Sequence, residues 1–282
     1  MLIGYEYRIE SGVAGNIFTH IRGVQMMMSL YQAGNIAVVA QMQCALFRQD
    51  LLGCFVLNTT RLISHKMYEG WKDPRHTDAQ FCCATPNGFS GMIGDWPIKF
   101  AIILQDLAML CKAVDERAIT GDTPFVDDTQ ANLESRLVDL LNTSRISLSS
   151  ADPIYEACTY VAYLCTYKLS VGIWNGSFIP EICVDRILSR LAAAAPDPRL
   201  AASRSLLLWL FLVGGLTERS RIGQRVKTLI NSVFFMQLQM LHKEWGNFKT
   251  CMMAFIWSKH AIERRVFPLW QELHLDITPE LL

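Results

Sequence analysis

The most apolar stretch of the chain runs from Ser205 to Leu216, and it predicts a helix that is buried on every side. About 20 apolar residues are needed to cross a bilayer, so this run, which stops at Thr217, is too short to span a membrane. Its glycine pair, Gly214-Gly215, suits a close helix crossing or a C-terminal helix stop. A phosphate-binding loop is the sharper alternative, but no Gly-Lys-Ser/Thr follows the pair.

Apolar residues recur at helical intervals through most of the remaining chain. The predicted helices cover 35–47, 49–64, 97–117, a segment after the capping box Asp127-x-x-Gln130, an almost entirely apolar segment opening at Asp152-Pro153, a segment from Pro180 to Pro196, a segment near 222–233, and two aromatic-rich segments after Trp245. No stretch alternates apolar and polar residues between hairpin turns. We therefore predict an all-α fold in which one large domain, residues 1–282, packs around the central helix near 205–216.

Two carboxylates lie inside the predicted helices. Asp106 is interpreted as an exposed or capping charge rather than a catalytic acid. Glu156 lies in the almost entirely apolar helix, where an unpaired carboxylate would be costly. A salt-bridge partner is therefore expected for Glu156, in preference to a catalytic role.

The charge balance narrows the classes of partner. Lys+Arg and Asp+Glu both number 26, so the formal net charge is zero. Affinity for nucleic acid comes largely from neutralising phosphates, so this chain alone is not expected to bind DNA. A small basic group, Arg219, Arg221, Arg225 and Lys227, is interpreted as a solvated helix face rather than a phosphate contact.

The cysteines and the first residues bear on the compartment. Nine cysteines without regular spacing lie mostly in apolar segments, which is typical of buried thiols in a reducing compartment. The chain begins without a basic region followed by an apolar core, so no secretory signal is expected. We predict an intracellular protein that does not enter a membrane.

Between His65 and Trp96 the helical pattern fades into a long segment rich in proline and glycine. Long loops in compact domains are often functional, so this one is the candidate contact for a ligand or partner. Its candidate residues are Trp71, His76, Phe81, Phe89 and Trp96. The alternative is an irregular loop pinned in place by its aromatic side chains.

The same segment carries residues of metal-ligating type, namely His65, His76, Asp78, Cys82 and Cys83. Adjacent cysteines cannot easily both occupy tetrahedral positions, and no Cys-x-x-Cys accompanies them, so no metal is expected. The motifs Gly-x-Ser-x-Gly, His-Glu-x-x-His and Gly-x-Gly-x-x-Gly are also absent. We therefore expect neither an enzyme nor a cofactor, and keep as the alternative an all-helical enzyme or ligand-binding protein of a biosynthetic pathway.

Several segments together resemble, in their order, the regulatory domain of fungal-specific transcription factors, whose members usually carry a binuclear zinc cluster near the N-terminus. The likeness is best over about 150–275 and weaker over 35–145, where it rests mainly on Arg48-Gln49-Asp50-Leu51. The segments that carry it are Ile154-Tyr155-Glu156-Ala157-Cys158, Arg190-Leu191-Ala192-Ala193-Ala194, the run Leu206 to Gly215, Phe255-Ile256-Trp257 and Leu269-Trp270-Gln271-Glu272.

The zinc cluster of that family needs six cysteines in two basic groups, each opening Cys-x-x-Cys, and this chain has no such pattern. The resemblance therefore implies a nuclear transcription regulator's helical domain without a zinc-cluster DNA-binding domain. It implies control of a metabolic or secondary-metabolite gene cluster through contacts with other transcription factors or coregulators. A small-molecule effector held between the helices is a further expectation from the same resemblance.

Overall fold

A computed structural model describes residues 19, 22–23, 26, 36–63, 84–120, 125–146, 152–169, 179–214 and 244–276. Helices make up 83% of this part of the chain and no strand occurs in it, which confirms the predicted all-α class. The chain divides into two compact units, Met1–Trp71 with Val138–Ile146, and Lys72–Leu137 with Ser147–Leu282. The single-domain organisation stays a prediction.

Nine α-helices account for most of the described residues. They are α1 Ile36–Leu57, α2 Ile98–Thr120, α3 Phe125–Ile146, α4 Pro153–Leu169, α5 Ile179–Ala194, α6 Pro198–Ala202, α7 Arg204–Gly214, α8 Trp245–Met252 and α9 Arg264–Asp276. Two short 3-10 turns, Asn87–Phe89 and Ile93–Asp95, precede α2, and a π-helical turn, Lys259–Glu263, leads directly into α9. The helix predicted near 222–233 lies outside the described residues.

In the first unit α1 is continuous, so the predicted break between residues 47 and 49 is wrong. The polar residues there do not interrupt the helix because Asp50 is fully buried and its carboxylate has backbone donors. Its oxygens accept hydrogen bonds from Leu62 N at 3.1 Å and Ile63 N at 2.9 Å. Arg61 Nε lies 3.7 Å from the same carboxylate. Burial nonetheless raises the pKa of Asp50 above its ordinary value, against these hydrogen bonds and the nearby charge of Arg61.

The end of α1 is set by backbone geometry rather than by the apolar pattern. Asn58 has φ 59°, and Thr59 N donates to Cys54 O at 3.2 Å. A left-handed residue followed by this hydrogen bond is the Schellman arrangement that terminates helices. The helix therefore ends at Leu57, earlier than the predicted end at Ser64.

In the second unit α7 is the buried central helix that the sequence predicts. Its side chains from Leu206 to Phe211 are at most 9% exposed. Helix α4 is equally enclosed, since every side chain from Ile154 to Tyr167 is buried, and it packs against α2, α5 and α7. Asp152 caps α4 by accepting from Ile154 N at 3.0 Å, which confirms the predicted start at Asp152-Pro153. Two largely buried helices, α4 and α7, thus form the centre of this unit.

Three other predictions about this unit need correction. Asp106 is not an exposed charge, because it is 2% exposed and Arg136 Nη1 on α3 donates to its carboxylate at 2.6 Å. Helix α3 begins at Phe125, so Asp127 lies inside the helix and not at its cap. Phe255-Ile256-Trp257, which belong to the first aromatic-rich segment predicted to be helical, occupy a non-helical turn between α8 and the π-helical turn.

Helix α2 fixes the start of the last helical stretch. Asp115 accepts hydrogen bonds from Ser258 Oγ at 2.6 Å, Lys259 N at 2.9 Å and His260 N at 2.8 Å. Ser258 Oγ in turn accepts from Ala261 N at 3.0 Å. Together these bonds satisfy the first backbone N–H groups of the π-helical turn, which would otherwise lack helical partners. Among the described residues, no helix combines the length and apolarity that a membrane crossing requires.

Candidate functional site

The predicted contact segment is described only from residue 84 onward, so Trp71, His76 and Phe81 lie outside the described residues. Phe89 is 1% exposed and packs edge-on against Trp209 and Phe255, with ring centroids 5.2 Å away in both cases. Gly88 N donates to Ala254 O at 2.7 Å beside this contact. Phe89 therefore serves as an anchor of the segment on the central helix.

Trp96 anchors the other end of the segment. Its ring lies 5.6 Å from Phe100 and 5.9 Å from Tyr155, centroid to centroid, and its Nε1 donates to Asp152 Oδ2 at 3.3 Å. Burial raises the pKa of Tyr155 in this aromatic surrounding to about 12. Phe89 and Trp96 thus both act in packing, as in the alternative interpretation of the loop. The role of the whole set as a ligand or partner contact stays a prediction.

A polar network surrounds the capping residue Asp152. Arg199 donates to both oxygens of its carboxylate, Nη1 at 3.0 Å and Nη2 at 3.2 Å, and Nη2 also donates to Asp197 at 2.7 Å. These bonds raise the pKa of Arg199 and lower that of Asp197, the Arg199–Asp197 hydrogen bond being the largest cause of both. Asp152 caps α4 and Asp197 caps α6, so the Arg199 guanidinium connects the N-termini of the two helices. Trp96 joins the same network through its hydrogen bond to Asp152.

Glu156 has the ion-pair partner that the sequence predicts. Its side chain is 4% exposed, and Arg190 Nε of α5 lies 2.6 Å from Oε2. The Arg190 side chain is 44% exposed, so the pair joins a buried carboxylate to a guanidinium that reaches solvent. A buried carboxylate of this kind is costly without compensation, so the contact favours a structural role for Glu156.

Trp209 connects the central helix to the turn after α8. It is fully buried, its Nε1 donates to Ile256 O at 3.2 Å, and its ring stacks on Phe255 with centroids 5.5 Å apart. The hydrogen bond satisfies an indole N–H that could not be left unpaired in an apolar core without cost. The turn residues Phe255 and Ile256 therefore belong to the same core as α7.

The contact between Ser258, Asp115 and His260 resembles a catalytic triad in composition only. The histidine takes part through its backbone N–H, whereas a triad needs the imidazole to accept the serine proton. Ser258 is fully buried and its hydroxyl already caps the π-helical turn. This arrangement stabilises a helix start.

Most of the described thiols are buried. Burial raises the pKa of Cys111, Cys158, Cys165 and Cys183 above the usual range of a thiol, which disfavours the nucleophilic thiolate. Cys251 is half-buried, and its Sγ donates to Ser205 Oγ at 3.0 Å. Within the described ranges, no group of three or more His, Cys, Asp or Glu side chains is placed to hold a metal ion.

The C-terminal aromatic cluster, defined as Trp245, Phe248, Phe267 and Trp270, is partly exposed. Phe248 is 1% exposed, whereas Phe267 is 37% exposed and the two tryptophans are half-buried. Trp245 lies 4.8 Å from Phe267 and 5.3 Å from Trp270, and Phe267 stacks on Trp270 at 6.1 Å. Aromatic residues at helical spacing usually lie in a core, and of these four only Phe248 is fully buried. Surfaces rich in aromatic side chains are typical of protein interfaces.

No family model, no curated protein and no solved structure matches this chain.

Proposed function

We propose that this chain is the helical regulatory module of a fungal-specific transcription regulator, acting in the nucleus through contacts with other transcription factors or coregulators. The genes controlled would form a metabolic or secondary-metabolite cluster. A small effector held between the helices would shift the population between two packings of the same helices and so change the partner surface. The chain would regulate a complex in which another protein contacts the DNA.

One observation carries the proposal: segments far apart in sequence that share the family resemblance contact each other in the fold. Glu156 of the first segment forms an ion pair with Arg190 of the second, with 2.6 Å between Oε2 and Nε. Trp209 of the central run hydrogen-bonds and stacks on the Phe255-Ile256 turn of the fourth segment. Helix α9, which carries the fifth segment, packs against α7. The segments that carry the resemblance therefore belong to one connected core, which a single helical regulatory module requires.

The direct test is transcriptional. Deleting the gene in the organism that carries it is expected to change the transcripts of a limited gene set, and the wild-type gene should restore them. A fluorescent fusion should accumulate in the nucleus. If the transcripts stayed unchanged while one metabolite accumulated, the result would contradict the proposal and favour the enzyme alternative.

The absence of DNA binding by the isolated chain is tested separately. The formal net charge is zero, so the chain lacks the overall positive charge that supplies most non-specific affinity for DNA. Fluorescence anisotropy with promoter fragments from the affected genes is expected to show no sequence-specific binding at physiological salt. Specific binding that weakened steeply with salt would overturn this part of the proposal.

The effector is tested by thermal unfolding. A ligand that binds only the folded chain stabilises it by about 2.7 kcal/mol at one hundred times its dissociation constant. The intermediates and end product of the affected pathway provide the compounds to screen. A raised midpoint with one of them supports the effector, and no shift with any of them removes it from the proposal.

A further inference from the structure

Asn87-Gly88 lies in the segment that packs on the central helix, and it is a chemically reactive pair. The Asn87 side chain is exposed, and Gly88 follows it without a Cβ atom. The backbone nitrogen after an asparagine can attack the side-chain amide carbon, and a Cβ on the following residue hinders this approach. Asparagine before glycine is therefore the pair in which the attack is least hindered.

The reaction is a deamidation that needs only water as co-reactant. The Gly88 nitrogen bonds to Cγ of Asn87, the bond from Cγ to the side-chain nitrogen breaks, and that nitrogen leaves as ammonia with the proton from Gly88. Water then opens the resulting five-membered succinimide at either carbonyl. One opening gives aspartate. The other gives isoaspartate, in which the main chain runs through Cβ of the former asparagine.

The fold holds both reacting groups in positions that oppose this attack. Gly88 N donates to Ala254 O at 2.7 Å, so its proton is engaged. Asn87 lies in the 3-10 turn Asn87–Phe89. A 3-10 turn has ψ of about −20 to −30°, whereas closing the five-membered ring requires Gly88 N to eclipse Cβ of Asn87, roughly 90° away. The turn must therefore open, and the Gly88 hydrogen bond must break, before the ring can form.

Opening of this turn is coupled to the anchor Phe89, the residue after Gly88. Phe89 is 1% exposed and packs edge-on against Trp209 and Phe255, with ring centroids 5.2 Å away in both cases. Burial of a phenylalanine side chain is favourable enough to lower the population of the open segment by at least about tenfold. The core contacts of Phe89 therefore control how often Asn87 can react.

We propose that Asn87 is a deamidation site protected by the fold, and that its conversion to isoaspartate makes detachment of the 84–97 segment irreversible. Isoaspartate lengthens the main chain before Gly88 by one carbon–carbon bond, about 1.5 Å. Gly88 has no room for such a shift, because a Cβ there would already lie 2.5 Å from Cε1 of Phe255. The converted chain therefore cannot restore the Gly88 hydrogen bond and the Phe89 contacts together. This inference is independent of the proposed function.

The experiment follows the full chain in mildly alkaline buffer, with and without unfolding concentrations of urea, by mass-spectrometric peptide mapping. Asn87 is expected to convert at least about tenfold more slowly in the folded chain than in urea. Asn175-Gly176, the second such pair of the sequence, reports the reactivity of the pair in the unfolded chain. Asn247, which is exposed but followed by phenylalanine, should stay unconverted while Asn87 converts in urea. Asn87→Gln should abolish the conversion, because its longer side chain cannot close a five-membered ring.

Phe89→Leu tests the control by the anchor. It keeps an apolar side chain but removes the ring contacts, so Asn87 should convert about five- to tenfold faster in the folded variant and at the wild-type rate in urea. Phe248→Leu is the matched control, because Phe248 is also 1% exposed and its ring stacks on Trp245 of α8, at 5.2 Å. Conversion of Asn87 in this variant is expected within about twofold of the wild-type rate.

Two further measurements use the wild-type chain, so they hold even if a variant does not fold. Because the segment opens locally, conversion of Asn87 should accelerate at urea concentrations below those at which circular dichroism changes. Chains converted in urea and then refolded should show fast hydrogen exchange over the 84–97 segment. Chains unfolded briefly and refolded before conversion should show slow exchange there.

Several results would overturn the inference. If Asn175 converts in urea and Asn87 does not, Asn87 is not a deamidation site. If Asn87 converts as fast in the folded chain as in urea, the fold does not protect it. Equal acceleration by Phe89→Leu and Phe248→Leu would mean that global unfolding, rather than opening of the segment, exposes the pair. Slow hydrogen exchange over 84–97 in converted, refolded chains would show that the segment docks again and that the change is not irreversible.

Discussion

Replacing Gly88 with alanine is expected to destabilise the fold where the 84–97 segment meets the core. A Cβ atom at Gly88 would lie 2.5 Å from Cε1 of Phe255 and 2.6 Å from its Cδ1 and Cζ. Carbon atoms in contact prefer about 3.5–4.0 Å, so the two groups must separate by about 1 Å. The backbone cannot supply this movement cheaply, because Gly88 N donates to Ala254 O at 2.7 Å.

The ring of Phe255 has little room to move. It is 4% exposed, stacks on Trp209 with centroids 5.5 Å apart, and meets the edge of Phe89 at 5.2 Å. Forcing extra volume into a packed core costs about 1–3 kcal/mol. We expect the free energy of unfolding of Gly88→Ala to fall by about this amount.

Gly91→Ala is the matched control, three residues further along the same segment. A Cβ there has no atom within 4 Å, and the backbone of Gly91 is outside the left-handed region that favours glycine. Alanine in a compatible backbone restricts the unfolded chain and stabilises a protein by about 0.4–1 kcal/mol. The two variants are therefore expected to shift stability in opposite directions, as measured by urea unfolding followed by circular dichroism.

Equal stability of the two variants would refute the reasoning, since it would mean that the segment is not packed on Phe255. The contact itself is tested by repeating Gly88→Ala in a Phe255→Leu background. Because the clash is with the ring, alanine at position 88 should cost less there than in the wild-type chain. A cost unchanged by Phe255→Leu would place the destabilisation elsewhere.

Three further predictions follow from the polar contacts and the thiols. Asp115→Ala and Ser258→Ala should each lower the free energy of unfolding by about 1–3 kcal/mol. Because the two residues share a 2.6 Å hydrogen bond, urea unfolding of the double variant should show a loss smaller than the sum of the two single losses. The lowered pKa of Asp197 gives stability that is present above its unfolded pKa, near 3.8, and is lost as the pH falls through the folded value. Asp197→Asn removes the carboxylate that titrates, so it should weaken the acid dependence of the free energy of unfolding below about pH 4. Asparagine also caps helices, so α6 should stay capped. An unchanged dependence on acid pH would contradict this prediction. In mass-spectrometric mapping of alkylation, Cys251 should react before the other described thiols, and faster reaction of any of them would count against their burial. Those thiols are Cys54, Cys111, Cys158, Cys165 and Cys183.

The helices of the second unit could be predicted because their signals are local. The run around Trp209 is apolar on every side and too short to cross a membrane, so burial against other helices was the expected outcome. Asp152-Pro153 and Pro196-Asp197-Pro198 place capping carboxylates and proline where helices begin and end, and the structure follows them. The ion pair of Glu156 was predictable for a similar reason, since an apolar helix leaves a carboxylate few alternatives.

The errors arise where a distant residue decides the outcome. Asp106 looks like a surface charge until Arg136 of α3 is placed beside it, and no spacing within α2 contains that information. The polar pair Gln49-Asp50 suggests a helix break, but the backbone after the helix returns and donates to Asp50. Phe89 and Trp96 looked available for a ligand because a long loop usually carries function. Their partners on α7, α2 and α4 bury them in the core, which no local pattern indicates, and their role as a ligand or partner contact stays a prediction.

The outward position of Phe267 could not be predicted from the local pattern. The π-helical turn from Lys259 to Glu263 contains one residue more than an α-helical turn, which rotates every later residue by roughly 100°. Val266 consequently faces the core at 0% exposure while Phe267 reaches solvent. The turn is held by Asp115, 144 residues before Lys259, through backbone N–H groups that any sequence would provide. Because the aspartate on α2 sets the register of α9, the exposed ring and its neighbouring arginines depend on tertiary structure, and helical periodicity alone would have assigned the aromatic stripe to the core.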